Sequence, residues 1–259
     1  MPTVLISGGS SGIGKAAVEY FAAKGWQVFE LSRSGQSTEQ VRHFDCDVTD
    51  LSSATNAVDE LLKCTDVIDV VISNAGFGIS GTVEFTPLDD VHQQFDVNFF
   101  GALNVVKAIL PQLRSQRHGR IIFTSSVAAV LSIPYQSFYS ATKAAVNAMA
   151  LALQNEVRDF GIYVGVLMPG DVATGFTRAR VRNEVGHDIY PHIHEAVAVM
   201  ERDEQAGMPP LKMAKALYHI ATVSCPAPQY VGGFQYKVFC LLDRILPKRL
   251  VNYIVGRLY

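Results

Sequence analysis

The chain has 259 residues, 49% of them apolar and 18% charged, with a formal net charge of −2. Such a composition buries a large core and excludes a disordered, collagen-like or coiled-coil chain. The near-neutral charge excludes a broadly basic surface and argues against nucleic acid as a partner. Cys46, Cys64, Cys225 and Cys240 are scattered without a CxxC pair, which predicts reduced thiols and neither a disulfide framework nor a thiolate metal site. No apolar run approaches the ~18 residues that cross a bilayer. Met1 leads straight into Val4-Leu5-Ile6 with no basic region before it, which predicts no secretory leader and a cytoplasmic protein.

In chain order, strands are predicted over Thr3–Ser7, Gln27–Ser32, Val41–Asp45, Val67–Ser73, Arg120–Ser125 and Ile162–Met168. Helical patterns fall at Gly12–Lys24, Leu51–Leu62, Asp89–Arg114 and Tyr139–Phe160. Strands that recur with helices between them imply βαβ crossovers. The run Val67-Ile68-Asp69-Val70-Val71-Ile72 is nearly continuous rather than alternating, as in a parallel strand covered on both faces. The fold class is therefore α/β, a doubly wound parallel sheet. With no internal repeat and no Pro/Gly/Ser-rich linker, residues 1–259 read as a single domain. Residues 171–208 turn polar and read as a helical substrate flap, and residues 233–259 as a C-terminal extension.

The first strand ends in Ser7-Gly8-Gly9-Ser10-Ser11-Gly12-Ile13-Gly14, and a helix follows. Glycines let backbone turn sharply and approach a pyrophosphate, whose charge then sits at a helix N-terminus. The G-x-x-x-G-x-G spacing resembles that of the short-chain dehydrogenase/reductase family, whose segment there reads T-G-x-x-x-G-I-G. Ser7 keeps the hydroxyl of that Thr. The resemblance runs from residue 3 to about 232. Asp47-Val48 matches the pair that contacts adenine. Ser73-Asn74-Ala75-Gly76 matches an N-N-A-G strand end, with Ser for the first Asn. Pro169-Gly170-Asp171-Val172-Ala173-Thr174 matches the segment that holds the nicotinamide carboxamide. The resemblance implies cofactor contacts from Ser7, Gly8, Ser10, Ser11, Gly12, Ile13, Gly14, Asp47, Val48, Asn74, Ala75, Gly76, Pro169, Gly170, Val172 and Thr174.

An acid at the end of the second strand would bind the ribose 2′-hydroxyl and repel a 2′-phosphate. By comparison with the family that position is Ser32, which is neutral. Arg33 follows it and can pair with the phosphate. Glu30 is the competing acid, two residues deeper in the strand. NADP(H) is the expected cofactor.

Tyr139 and Lys143 lie at i, i+4 on one helical face. An unperturbed phenol, with a pKa of about 10, exchanges protons poorly near neutral pH, and a neighbouring ammonium lowers that pKa. Ser126 stands thirteen residues before Tyr139, where the family keeps its substrate-orienting serine. Asn98 matches the family's fourth member, which holds a water that relays protons to the lysine. The resemblance thus makes Asn98, Ser126, Tyr139 and Lys143 the catalytic set, with Tyr139 and Lys143 also on the cofactor. His187, His192, His194 and Glu195 crowd one polar segment but are read as surface residues, with no metal. Arg178, Arg180 and Arg182 are read as a solvated face.

The expected rim of the site is apolar: Phe77, Ile79, Val127, Ala128, Val130, Leu131, Ile133, Pro134 and Phe176, with Phe77, Ile133, Phe176 and Ser126 on the substrate. Few polar anchors suit a steroid, retinoid or fatty-chain carbonyl or alcohol. The long segment after Thr174 and the extended C-terminus resemble the hydroxysteroid dehydrogenase-like branch. The alternatives are a 3-oxoacyl carrier-protein reductase and a non-catalytic NADP-binding redox sensor or scaffold. The family commonly pairs its two long helices, so a homodimer or homotetramer is expected, with Leu103, Val106, Leu110, Met149 and Leu153 outward.

In the tail, Val238, Leu241, Leu242 and Ile245 recur at helical spacing, Pro247 interrupts, and Leu250, Val251, Ile254, Val255 and Leu258 repeat the pattern. Lys237, Arg244, Lys248, Arg249 and Arg257 against Asp243 give this segment a net of +4. Two short amphipathic helices closing beside the substrate entrance are predicted. Their apolar face either packs on the domain or makes a peripheral contact with an anionic membrane.

Overall fold

The computed structural model describes residues 1–259. Its elements begin β1 (Thr3–Ser7), α1 (Gly12–Ala23), β2 (Gln27–Ser32), β3 (Val41–Asp45), α2 (Leu51–Leu62) and β4 (Val70–Ser73). There follow β5 (Ile79–Ser80), α3 (Leu88–Phe95), a π-type turn (Asp96–Phe100), α4 (Gly101–Gln116), β6 (Gly119–Thr124), α5 (Ser137–Val157) and β7 (Ile162–Pro169). The last third holds α6 (Phe176–Ala179), β8 (Val181–Arg182), α7 (Ile193–Gln205) and α8 (Pro210–Thr222), then β9 (Gln229–Gly232), α9 (Phe234–Ile245) and α10 (Lys248–Leu258).

Seven strands form one parallel sheet in the order β3-β2-β1-β4-β6-β7-β9. The chain winds outward from β1 in one direction and from β4 in the other, so a crevice opens above Ser7 and Ser73, which are paired in register. Alternate strand residues feed two cores. Leu5, Phe29, Leu31, Val71, Ile121 and Phe123 pack under α2, α4 and α5. Val4, Ile6, Val28, Val70, Ile72 and Ile122 pack under α1 and α8. Each fully buried Leu, Ile or Phe there contributes about 1.5–3 kcal/mol. Beyond that second face, the rings of Phe21, Trp26 and Tyr218 meet edge to face, at centroid distances of 5.1 to 6.0 Å.

Differences from the sequence expectation have local causes. The strand predicted over Val67–Ser73 starts three residues late. Thr3 uses its backbone N–H and hydroxyl on the Asp69 carboxylate and the Val67 carbonyl, in place of ladder bonds. The single helix predicted over Asp89–Arg114 is broken by the π-type turn, where the Gly101 N–H donates to the Asp96 carbonyl five residues back. β9 and α8 were not predicted. β9 is short and lies at the sheet edge, while α8 does carry a signal, Pro210 in its first turn ahead of Met213, Leu217 and Ile220.

The proposed oligomer patch is corrected in part. Val106 is core, and Leu110, Met149 and Leu153 pack against the core. What α5 exposes instead is Ala141, Ala144, Ala148, Leu151 and Ala152. Of the nine apolar tail positions, seven are exposed; only Val255 is buried and Val251 half-buried.

Candidate active site

A cleft of about 910 Å³ opens at the crevice. Its floor is the turn after β1, with Gly8, Ser10, Ser11, Gly12 and Ile13 on its surface. Gly12 has φ +54°, a left-handed conformation that favours glycine. Gly14 stands behind the cleft: a Cβ there would lie 2.1 Å from the Gly8 carbonyl oxygen. Ser7 also stands behind it. Its hydroxyl accepts from the backbone N–H groups of Asn74 (3.0 Å) and Ala75 (3.4 Å), and Asn74 donates to the Gly8 carbonyl. These two residues therefore hold the turn and do not themselves face the cleft. Asn74, Ala75, Gly76, Pro169, Gly170, Val172 and Thr174 complete the floor and far wall. The bare, tightly turned backbone at the head of α1 fits a pyrophosphate, and the cleft runs from there to both Arg33 and Tyr139.

At the other end lie Ser32, Arg33, Asp47 and Val48. Ser32 is buried and Arg33 exposed at the cleft edge. The Asp47 carboxylate is held below its usual range by hydrogen bonds from the Thr49 N–H and hydroxyl, with Arg33 adding to the effect. Glu30 does not reach the cleft. It is buried beneath the glycine turn with its carboxylate 2.5 Å from His43 Nδ1, and His43 Nε2 is 3.0 Å from Asp45. Burial acts to lower the His43 pKa, but the hydrogen bonds to Asp45 and Glu30 outweigh it, and the net shift is upward. A histidine raised on folding stabilises the protein fully below its ordinary pKa, and that stability is lost as pH rises through the folded value. Thermal midpoints are therefore expected to fall as pH rises above the ordinary histidine range, and His43→Gln should flatten the fall. An unchanged slope in that variant would remove the pair as its cause.

The central wall gathers the remaining residues. Ser126 caps a 3₁₀ turn over Val127–Ala129, its Oγ accepting from the Ala128 N–H at 3.1 Å. Tyr139 and Lys143 lie in the first two turns of α5, on one face. The Lys143 ammonium is buried, donates to the Thr124 carbonyl at 3.1 Å and sits 5.7 Å from the Tyr139 ring. Burial pulls its pKa down to about 8. The Tyr139 phenol is pushed up to about 12 by burial, against an opposing effect from the Ser126 hydroxyl. This corrects the expectation of a phenol acidified by its lysine: desolvation dominates, and the carboxylates of Glu204 and Asp171 add to it. The Tyr139 phenol therefore keeps its proton near neutral pH.

Asn98 occupies the π-type turn and is buried behind the wall. Its Oδ1 accepts from the Phe77 N–H and its Nδ2 donates to the Phe77 carbonyl, both at 2.9 Å. Nδ2 also reaches the Thr142 hydroxyl. Asn98 thus ties the loop after β4 to α5. Asn98 Oδ1 and Lys143 Nζ crowd the same side of Gly76.

Of the expected rim, Phe77, Val127, Ala128, Ile133 and Phe176 line the cleft. Ile79, Val130, Leu131 and Pro134 do not: Ile79 is drawn into the β5–β8 pair, and Val130 packs on the core. The flap supplies residues the sequence did not point to, namely Ala179, Val181, Met200 and Glu204, and α10 delivers Tyr259. Burial and the nearby carboxylates Asp171 and Asp203 push the Tyr259 phenol far up. The basic run of the flap is not uniformly solvated. Arg178 and Arg182 are exposed, but the Arg180 side chain is fully buried, paired with Glu204 and 5.7 Å over the Phe176 ring. The Phe176 ring in turn lies 5.6 Å from that of Tyr139. Nearby, Tyr236 on α9 donates to Asp171 at 2.5 Å, fastening the tail to the end of β7. The His187 and His194 rings lie 5.4 Å apart, tilted at 53°, and His192 lies 3.8 Å from the Glu195 carboxylate.

The short chain dehydrogenase family model matches residues 2–185. The chain is a short-chain dehydrogenase/reductase. A relative named 3-ketodihydrosphingosine reductase, from Bacteroides thetaiotaomicron, is 36% identical over 261 aligned residues, covering 99% of this chain and 97% of that one. A probable short-chain type dehydrogenase/reductase of Helicobacter pylori is 30% identical, covering 94% and 92%. The crystal structure of a short-chain dehydrogenase from Streptomyces avermitilis superposes with a TM-score of 0.84 at 28% identity, covering 94% and 93%. As a member of this family, the protein is an oxidoreductase acting on C=O or CH–OH groups with a nicotinamide dinucleotide.

Proposed function

We propose that this short-chain dehydrogenase/reductase uses NADPH to reduce the ketone of a long-chain, sphingoid-like lipid. The observation that carries the reading is the apolar wall beyond Tyr139, made by Phe77, Ile133, Phe176, Val181 and Met200 and closed by Tyr259. A pocket of this kind grips a hydrocarbon chain and orients it by few polar groups. The relative named for 3-ketodihydrosphingosine aligns through the C-terminal helices as well as the sheet, which supports this lipid class over a steroid. The neutral Ser32, the exposed Arg33 and the withdrawal of Glu30 to His43 support the 2′-phosphorylated cofactor.

Bound NADPH supplies a hydride to the carbonyl carbon. The remainder is the work of this chain. Ser126 and Tyr139 both line the cleft, and their O–H groups are the donors that would stabilise the negative charge developing on the carbonyl oxygen. The phenol proton passes to that oxygen as the carbon–oxygen double bond becomes single, which completes the alcohol. The Lys143 ammonium, fixed by the Thr124 carbonyl, favours the phenolate left behind. Asn98 holds Phe77 and Thr142 in place.

Loss of NADPH absorbance with 3-ketodihydrosphingosine, a steroid ketone and a 3-oxoacyl thioester tests the reading. Turnover of the sphingoid ketone at the highest kcat/KM is expected. Efficient turnover of the thioester with none of the sphingoid ketone would assign the 3-oxoacyl reductase function instead.

A further inference from the structure

The helices α9 and α10 are apolar on the side that faces away from the protein. On α9, Tyr236 and Cys240 point into the domain and are buried. Phe234, Val238, Leu241 and Ile245 follow one another at i, i+4, i+7 and i+11, so they form a stripe on the opposite side of the helix. They are exposed, Phe234 by 81% and Ile245 by 70%. On α10, Val255 is the buried residue, while Leu250, Ile254 and Leu258 form an exposed row at spacing four, beside an exposed Tyr253. An ordinary surface helix shows its polar face to water and its apolar face to the core. Here burial of a narrow inner edge suffices to fasten both helices, and a second apolar face has no partner within the chain.

The charges around that face are of one sign. Lys237, Arg244, Lys248, Arg249 and Arg257 are all exposed, and the lone acid, Asp243, is already paired with Lys248 at 2.6 Å. The tail carries a net of +4 in a chain whose total is −2. A second copy laid face to face on this surface would bring ten cationic side chains together, which costs affinity. An anionic lipid surface instead neutralises them and accepts the apolar side chains between its headgroups. The face also adjoins the site, because α10 ends in Tyr259 on the wall of the cleft.

We propose that the outward face of α9 and α10 docks on an anionic bilayer surface, so that the mouth of the cleft stands beside the lipid. This docking does not depend on which ketone the enzyme reduces.

Co-sedimentation of the full chain with vesicles tests it, at low and at physiological salt. The vesicles are equal parts phosphatidylglycerol and phosphatidylcholine, against phosphatidylcholine alone. Binding to the anionic vesicles that weakens with salt, and little binding to the neutral ones, is expected. Phe234→Glu with Ile245→Glu should lower the bound fraction by about tenfold or more. Arg244→Glu with Arg249→Glu should do the same through charge alone, and its substitutions lie on the surface where they leave the fold intact. Both variants should retain the wild-type thermal midpoint and turnover of a water-soluble ketone. The proposal is overturned if the wild type stays in the supernatant at both salts, or if both variants sediment as it does. It is equally overturned if Ile245→Glu alone halves the mass by light scattering while no vesicle binds, which would assign the face to a second copy.

Discussion

Tyr139→Phe is expected to lower kcat by about 10³-fold, the scale of a lost general acid, while NADPH affinity stays within about twofold of the wild type. The ring remains, with its contact to Phe176 at 5.6 Å, and only the donor is removed. Stopped-flow oxidation of NADPH and a fluorescence titration separate the two quantities. A variant with near-normal kcat would falsify the assignment of the proton donor. The pH dependence has a distinct origin. Tyr139, pushed up to about 12, keeps its proton over the working range, whereas Lys143, pulled down to about 8, does not. The rate of reduction should therefore fall as pH rises through about 8, where the buried lysine loses the charge that stabilises the phenolate. A flat profile from about pH 6 to about pH 10 would detach Lys143 from proton delivery.

Exchanging Ser32 for Asp and Arg33 for Ser together should reverse the cofactor preference. A guanidinium–phosphate hydrogen bond is worth about 1.5–3 kcal/mol, and an introduced carboxylate adds repulsion of the 2′-phosphate. The ratio of NADPH to NADH affinity is expected to drop by about 10²-fold or more. Glu30 offers no rescue for either cofactor, because its carboxylate is engaged with His43 below the turn. Isothermal titration of both nucleotides against wild type and variant decides the matter. A wild type that already prefers NADH would sink it.

Much of this architecture is legible in the sequence because parallel strands are covered on both sides. Val28-Phe29-Glu30-Leu31, apolar but for Glu30, and Ile121-Ile122-Phe123 stand out between turns, and their limits in β2 and β6 fall at or within one residue of where those turns place them. The glycine turn, Tyr139 and Lys143 are similarly local, since each depends on spacing within a few residues. What sequence hides is whatever depends on distant partners. Arg180 reads as solvated until Glu204 and Phe176, one on α7 and one on α6, close around it. The pKa of Tyr139 departs from the sequence expectation for the same reason: burial outweighs the cation at i+4, with Glu204 and Asp171 adding to the rise and Ser126 and Arg180 opposing it. Tyr259 lines the cleft from the far end of the chain, where Tyr236 fastens α9 to Asp171 and Val255 is the buried residue of α10.

The π-type turn at Asp96–Phe100 separates two helices that answer to different demands. Downstream, α4 is phased by the core, with Val105, Ile109 and Leu113 locked under the sheet. Upstream, α3 sets Asp89, His92 and Gln93 along the cleft. In an uninterrupted helix each residue adds about 100° of rotation, so the phase of one segment would dictate that of the other. The wider turn absorbs one residue of phase between them. Substitutions that reshape the mouth on α3 are therefore insulated from the packing on α4, while Asn98, seated in the turn itself, stays fixed on Phe77. A chain built this way can change its rim without renegotiating its interior.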